Sequence, residues 1–200
     1  MACSALHLLI AQEYCKKHKI LDVNTYFWGA ILPDIHEDKT SSHFGRHIKP
    51  TSIEEMLDAK VDIHECIYTL NFQDEDARAI FLHILTDYIY YNYLYKAPLQ
   101  NMSASQILSA INNDAGVMTT EILKEHSFPI PNNFAPLLIP KENTGRYQLF
   151  RGDKLNSFIE TISSLDLDET ILSILRDKQA FIEQVINQIN ESEDFDCKRI

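Results

Sequence analysis

Residues 74–95 read DEDARAIFLHILTDYIYYNYLY, with no glycine and no proline. Asp74, Glu75 and Asp76 crowd its start, where the positive end of a helix dipole favours carboxylates. Ala77, Phe81, Ile84, Tyr88, Tyr91 and Tyr95 recur at helical spacing and form one apolar stripe. Ile80, His83, Asp87, Tyr90 and Leu94 form a second stripe beside it. A helix apolar over most of its circumference is a buried helix. His83 and Asp87 are four apart, so they share a face on adjacent turns and point into a core. A buried carboxylate is costly unless it is paired or binds a metal. Two readings therefore stand: a His–Asp hydrogen bond closed within the helix, or a pair of metal ligands.

The flanking sequence extends the helical pattern in both directions. Residues 4–19 form a first helix, with Leu6, Leu9, Ile10 and Tyr14 on its apolar face and His7 beside that face. Residues 24–32, NTYFWGAIL, read as a short apolar helix that could be fully buried, in which Trp28 is a core residue more than a ligand, stopped by Pro33. Asp34 follows at once and opens a polar loop to Pro50 that holds His36, His43 and His47. A helix over 52–71 starts with Ser52 and Glu55 at capping-box spacing. Another spans 103–125 behind Ser103 as its N-cap. Residues 127–147 contain Pro129, Pro131, Pro136 and Pro140 and read as a long ordered loop. Helices resume over 153–164 and 167–190, and the charged end ESEDFDCKRI reads as a frayed tail. The expected architecture is all-α: one compact domain over residues 1–190 with about six or seven helices, and a tail over 191–200.

Composition narrows the function. The 200 residues are 45% hydrophobic and hold only five glycines, which favours helices over a turn-rich β fold. Net charge is −11, from 18 basic and 29 acidic residues, and no basic run exists. An extended nucleic-acid surface needs clustered Lys and Arg and is not expected. Cys3, Cys15, Cys66 and Cys197 show no CxxC spacing and read as free thiols of a reducing compartment. The amino-terminal stretch has no basic region before its apolar residues and does not read as a signal peptide. No apolar run reaches the ~18 residues of a membrane span. The expected location is cytoplasmic.

His7, Asp34, His43, His83 and Asp87 thus stand out in order along the chain. Imidazole and carboxylate are ligands of zinc and also of iron or manganese. The helical H-x3-D supplies two ligands from adjacent turns, and Asp34 and His43 supply a third and a fourth. His36 and His47 are alternatives to them; His43 and His47 would form an HxxxH pair if that loop were helical. His18, His64 and His126 read as surface or structural residues. Tyr88, Tyr90, Tyr91, Tyr93 and Tyr95 are either core packing or ring faces lining a cleft.

GAILPD at 29–34, SHF at 42–44 and FLHILTD at 81–87, with His7 upstream, resemble the zinc-dependent phospholipase C family. The resemblance is to its small, non-secreted branch, related to the single-strand-specific zinc nucleases, and covers residues 5–95. It implies an all-helical fold with a metal cleft. In such enzymes the residues matching Asp34, His43, His83 and Asp87 hold one zinc. The residue matching Asp87 also bridges to a second zinc, held by the residue matching His7. The residue matching Asp34 can act as general base toward an attacking water. The chain departs from the family in two respects. The secreted enzymes use a mature amino-terminal tryptophan as a ligand, whereas this chain begins Met-Ala-Cys. Residues 88–125 hold no histidine and Ile130 is four after His126, so the family's third zinc site is not expected.

The leading expectation is a zinc-dependent phosphoesterase with one zinc site and a second, less complete one, acting on a small phosphoester. Its rivals are a non-catalytic metal-binding helical protein and a metal-free helical interaction domain. The all-α HD-type phosphohydrolases rank low because their adjacent His-Asp dipeptide is missing.

Overall fold

A computed structural model describes residues 2–46, 55, 59–96, 103–129, 138 and 152–191. Among the described residues eight helices run end to end and no strand occurs. They are α1 (Ser4–His18), α2 (Val23–Ile35), α3 (Lys39–Ser42), α4 (Ile63–Thr69), α5 (Glu75–Lys96), α6 (Ala104–Glu125), α7 (Gly152–Ser163) and α8 (Leu167–Glu191). None of them is long and apolar enough to cross a membrane. The 127–147 proline segment, the 191–200 tail and the Ser52 capping box fall almost wholly outside the described residues.

The 74–95 stretch is the hub. α5 begins at Glu75 with its acidic first turn and buries Phe81, Ile84, Leu85, Ile89, Tyr90 and Leu94 at 0% exposure. It packs along α2 and also touches α1, α4 and α8. The two helices approach closely at Gly29, where an added Cβ would sit 2.6 Å from the carbonyl carbon of Ala79. Only a residue without a side chain lets α2 lie this near α5. α1 lies across α2, α6 and α7 and buries Leu6, Leu8, Leu9 and Ile10. Tyr88, Tyr91 and Tyr93 are all at most 6% exposed, so these tyrosines are core packing.

Three features differ from the sequence reading. Pro33 does not stop α2; the helix continues to Ile35 and places Asp34 in its last turn. Proline's fixed φ is itself helical, and its missing N–H costs only one bond, back to Gly29. α2 is not fully buried either: Trp28 and Leu32 are 44% and 45% exposed. The helix over 52–71 is broken at Val61–Asp62, where the Asp62 carboxylate accepts the Glu65 N–H at 3.2 Å and caps α4 afresh. Ser103 does cap α6, and its N–H donates to Gln106 Oε1 at 2.9 Å.

Candidate metal centre

Four elements deliver side chains to one buried point. α1 brings His7, the last turn of α2 brings Asp34, the residue after α3 is His43, and α5 brings His83 and Asp87. All five lie within 0–6% exposure, Asp34 being the least buried. The His43 loop is held by backbone. Phe44 takes a left-handed conformation (φ 56°), and the Gly45 N–H returns to Thr40 C=O at 2.8 Å. Arg46 N–H reaches Ala59 C=O at 2.8 Å. A Cβ on Gly45 would meet that same carbonyl oxygen at 2.6 Å, so glycine is required there.

The hydrogen bonds fix what each imidazole presents. His83 Nδ1 lies 2.8 Å from the Ala30 carbonyl oxygen, and His43 Nδ1 lies 2.8 Å from that of Lys39. A carbonyl only accepts, so both Nδ1 atoms carry the proton. Ser42 Oγ agrees: it donates to Pro33 C=O at 2.7 Å, so at 3.1 Å from His43 Nδ1 it can only accept. In the neutral rings both Nε2 atoms then expose bare lone pairs. Those two atoms face each other at 3.1 Å. No donor sits between them, and two carboxylates complete the group. His43 Nε2 is 3.8 Å from Asp34 Oδ1 and 3.5 Å from Asp87 Oδ2, and His83 Nε2 is 3.9 Å from Asp87 Oδ2.

These separations are those of a coordination shell. Ligands about 2.0–2.1 Å from a tetrahedral zinc stand roughly 3.3–3.4 Å from one another. Four of the six edges among these atoms are 3.1, 3.5, 3.8 and 3.9 Å, one shorter and three longer than that value. Asp87 Oδ2 has no hydrogen-bond partner although it is fully buried. A buried anionic oxygen without a donor is unfavourable unless a cation meets it. Burial also keeps the imidazoles neutral, as ligands must be. It drives His83 from its ordinary 6.5 to about 3, and it lowers His43 although Asp87 and Asp34 pull the other way. Burial alone would raise Asp87, but the adjoining His7 ring reverses this and holds the carboxyl well below its ordinary range.

A second set shares Asp87. His7 stacks on His83 with ring centroids 3.7 Å apart, and its Nε2 is 3.4 Å from Asp87 Oδ1. Neither ring nitrogen of His7 has a hydrogen-bond partner. His7, His83 and Asp87 thus form one candidate ligand group, and Asp34, His43 and His83 another. The wider charge balance points the same way. Asp34, Asp87 and Asp114 are buried carboxylates, and among the described residues no lysine or arginine is buried. Compensation must come from hydrogen bonds, protons or a bound cation. The residues therefore fit a divalent metal, and donor type alone leaves zinc, iron and manganese as candidates.

All five candidate residues from the sequence come together here. His36 does not join them: its Nδ1 is bound locally at Asp38, 3.1 Å away. His47 lies outside the described residues. His18 stacks on Tyr14 at 4.0 Å and His126 on Phe128 at 6.5 Å, both away from the centre. Cys3, Cys15 and Cys66 are free and buried, and burial raises the first two thiols to about 11 and about 12. No cysteine belongs to either candidate ligand group.

Two polar residues were not foreseen. Ser4 Oγ donates to Asp34 Oδ2 at 2.7 Å. Asp114, fully buried on α6, accepts from Tyr90 OH at 3.2 Å. Asp114 had a signal, since it lies on the Ile107–Ile111–Met118 stripe; Ser4 had none. Comparisons with protein-family models, with curated proteins and with solved structures found no match.

Proposed function

We propose that this protein is a metal-dependent hydrolase of phosphoesters whose ion is held by Asp34, His43, His83 and Asp87. One observation carries the metal half of the reading. Two imidazole Nε2 lone pairs face each other at 3.1 Å, His43 Nε2 lies 3.8 Å from Asp34 Oδ1, and Asp87 Oδ2 lies 3.5–3.9 Å from both Nε2 atoms with no hydrogen-bond donor of its own. The phosphoester half rests on the resemblance of residues 5–95 to the zinc-dependent phospholipase C family. A divalent cation bound there would polarise a phosphoryl oxygen and acidify a water.

The chain's own residues would do the rest. His43 and His83 are locked as Nδ1–H tautomers by backbone carbonyls, which orients their Nε2 lone pairs toward the centre. Asp34 is the least buried of the five at 6%. Its Oδ1 faces the centre, so the carboxylate would orient the attacking water beside the ion.

The depth of the site favours a second reading. Structural metal sites are closed, while catalytic ones keep a position open to substrate. With every candidate ligand at 6% exposure or less, the ion could simply tie the His43 loop and α2 to α5. Turnover separates the two. The zinc-loaded protein should hydrolyse an activated phosphodiester or phosphomonoester, and His83→Ala and chelator should each abolish the activity. Stoichiometric zinc with no turnover on either ester class would leave the stapling role and end the hydrolase reading.

A further inference from the structure

Ser4 lies in the first turn of α1, 7% exposed, thirty residues from Asp34 in sequence. Its hydroxyl has the geometry of a charge-assisted bond, 2.7 Å from Asp34 Oδ2. Asp34 Oδ1, the other oxygen, points to His43 Nε2 at 3.8 Å. The two oxygens of one carboxylate are therefore split between two partners. The same helix carries His7 three residues on, so one face of α1 presents both side chains to the centre.

We propose that Ser4 is a positioning residue of the metal centre: its hydroxyl occupies Asp34 Oδ2, so that Asp34 offers the ion one oxygen and not both. This rests on the metal reading above. Two consequences are chemical. The carboxylate plane is fixed, which spares the ordering of Asp34 when the ion binds. The ion keeps room for a further ligand that a two-oxygen Asp34 would fill. Outer partners of this kind typically account for about 10–100-fold in metal affinity.

The test is a chelator-competition titration with zinc on the full chain, comparing wild type, Ser4→Ala, Ser4→Thr and His83→Ala, with the melting temperature of each ion-free protein. Visible absorption of bound cobalt(II), which weakens as coordination rises above four, reports how many atoms the ion meets. Ser4→Ala should bind zinc about 10-fold more weakly or worse, with weaker cobalt absorption, while its ion-free melting temperature stays above the titration temperature. Ser4→Thr, which keeps the hydroxyl, should restore both readouts. Wild-type affinity and an unchanged cobalt spectrum in Ser4→Ala would overturn the role of Ser4 and leave the metal centre standing. So would equal losses in Ser4→Ala and Ser4→Thr, since the hydroxyl would then not be the cause. No zinc or cobalt uptake by the wild type would overturn the metal reading and this proposal with it.

Discussion

Asp87 joins the two histidine groups through its two oxygens. Oδ1 receives the Ala2 N–H at 2.6 Å and faces His7, while Oδ2 faces His43 and His83 with no donor of its own. Asp87→Asn keeps the shape and removes the charge. It should lower ion affinity by more than about 100-fold, beyond what outer partners alone account for, as read by isothermal titration. His7 makes the opposite prediction. Its two ring nitrogens are buried without partners, and an unpaired buried polar atom costs about 1–3 kcal/mol. His7→Phe keeps the stack on His83 and removes both atoms. Any second ion should be lost while the first is retained, as read by isothermal titration; an unchanged ion count would make His7 a core residue only.

Among the elements, the α2–α5 contact sets the site. α2 carries Asp34 and the Ala30 carbonyl that orients His83, and α5 carries His83 and Asp87. Gly29 lets them meet, so Gly29→Ala should push the helices apart. Overpacking of this sort costs about 1–3 kcal/mol, or roughly 2–12 °C in melting temperature for a chain of this length. Ion affinity should fall with it, and differential scanning calorimetry with and without zinc checks both. Much of this was legible in the sequence. The i, i+4 spacing of His83 and Asp87 placed them on one buried face because helical periodicity is a local property. The ends of α2 were not legible: proline near a helix end reads as a stop, and only the packed helix shows that it runs on to Asp34 and Ile35. Trp28 read as core because an apolar run does not say which of its sides meets a partner. Ser4 was invisible because a serine in a first turn has no pattern that names a carboxylate thirty residues away.

For the whole molecule, stability should depend on the ion and on pH. Binding to the folded state alone contributes RT ln(1 + [L]/Kd), about 2.7 kcal/mol at one hundred times Kd. Exhaustive chelation should lower the melting temperature accordingly, and added zinc should restore it. The pH dependence of the ion-free protein follows from His83 and His43. Both have folded pKa values below their ordinary 6.5, His83 at about 3. Between those limits the unfolded chain binds more protons than the folded one, so stability rises with pH. The contribution is complete above about pH 6.5 and is lost as the pH falls toward 3. Urea unfolding of the chelated protein at pH 7.5 and 5.0 should show the lower midpoint at pH 5.0, and His83→Ala should shrink the difference.

The central claim is that a cation belongs among Asp34, His43, His83 and Asp87. Elemental analysis of protein purified without an affinity metal, beside His83→Ala and Asp87→Asn, tests it most directly. Near-stoichiometric zinc, iron or manganese in the wild type, absent from both variants, is the predicted result. No metal in the wild type, even after incubation with each ion, would contradict it: His83 and Asp87 would then be core polar residues, and their lone pairs would be met by protons alone.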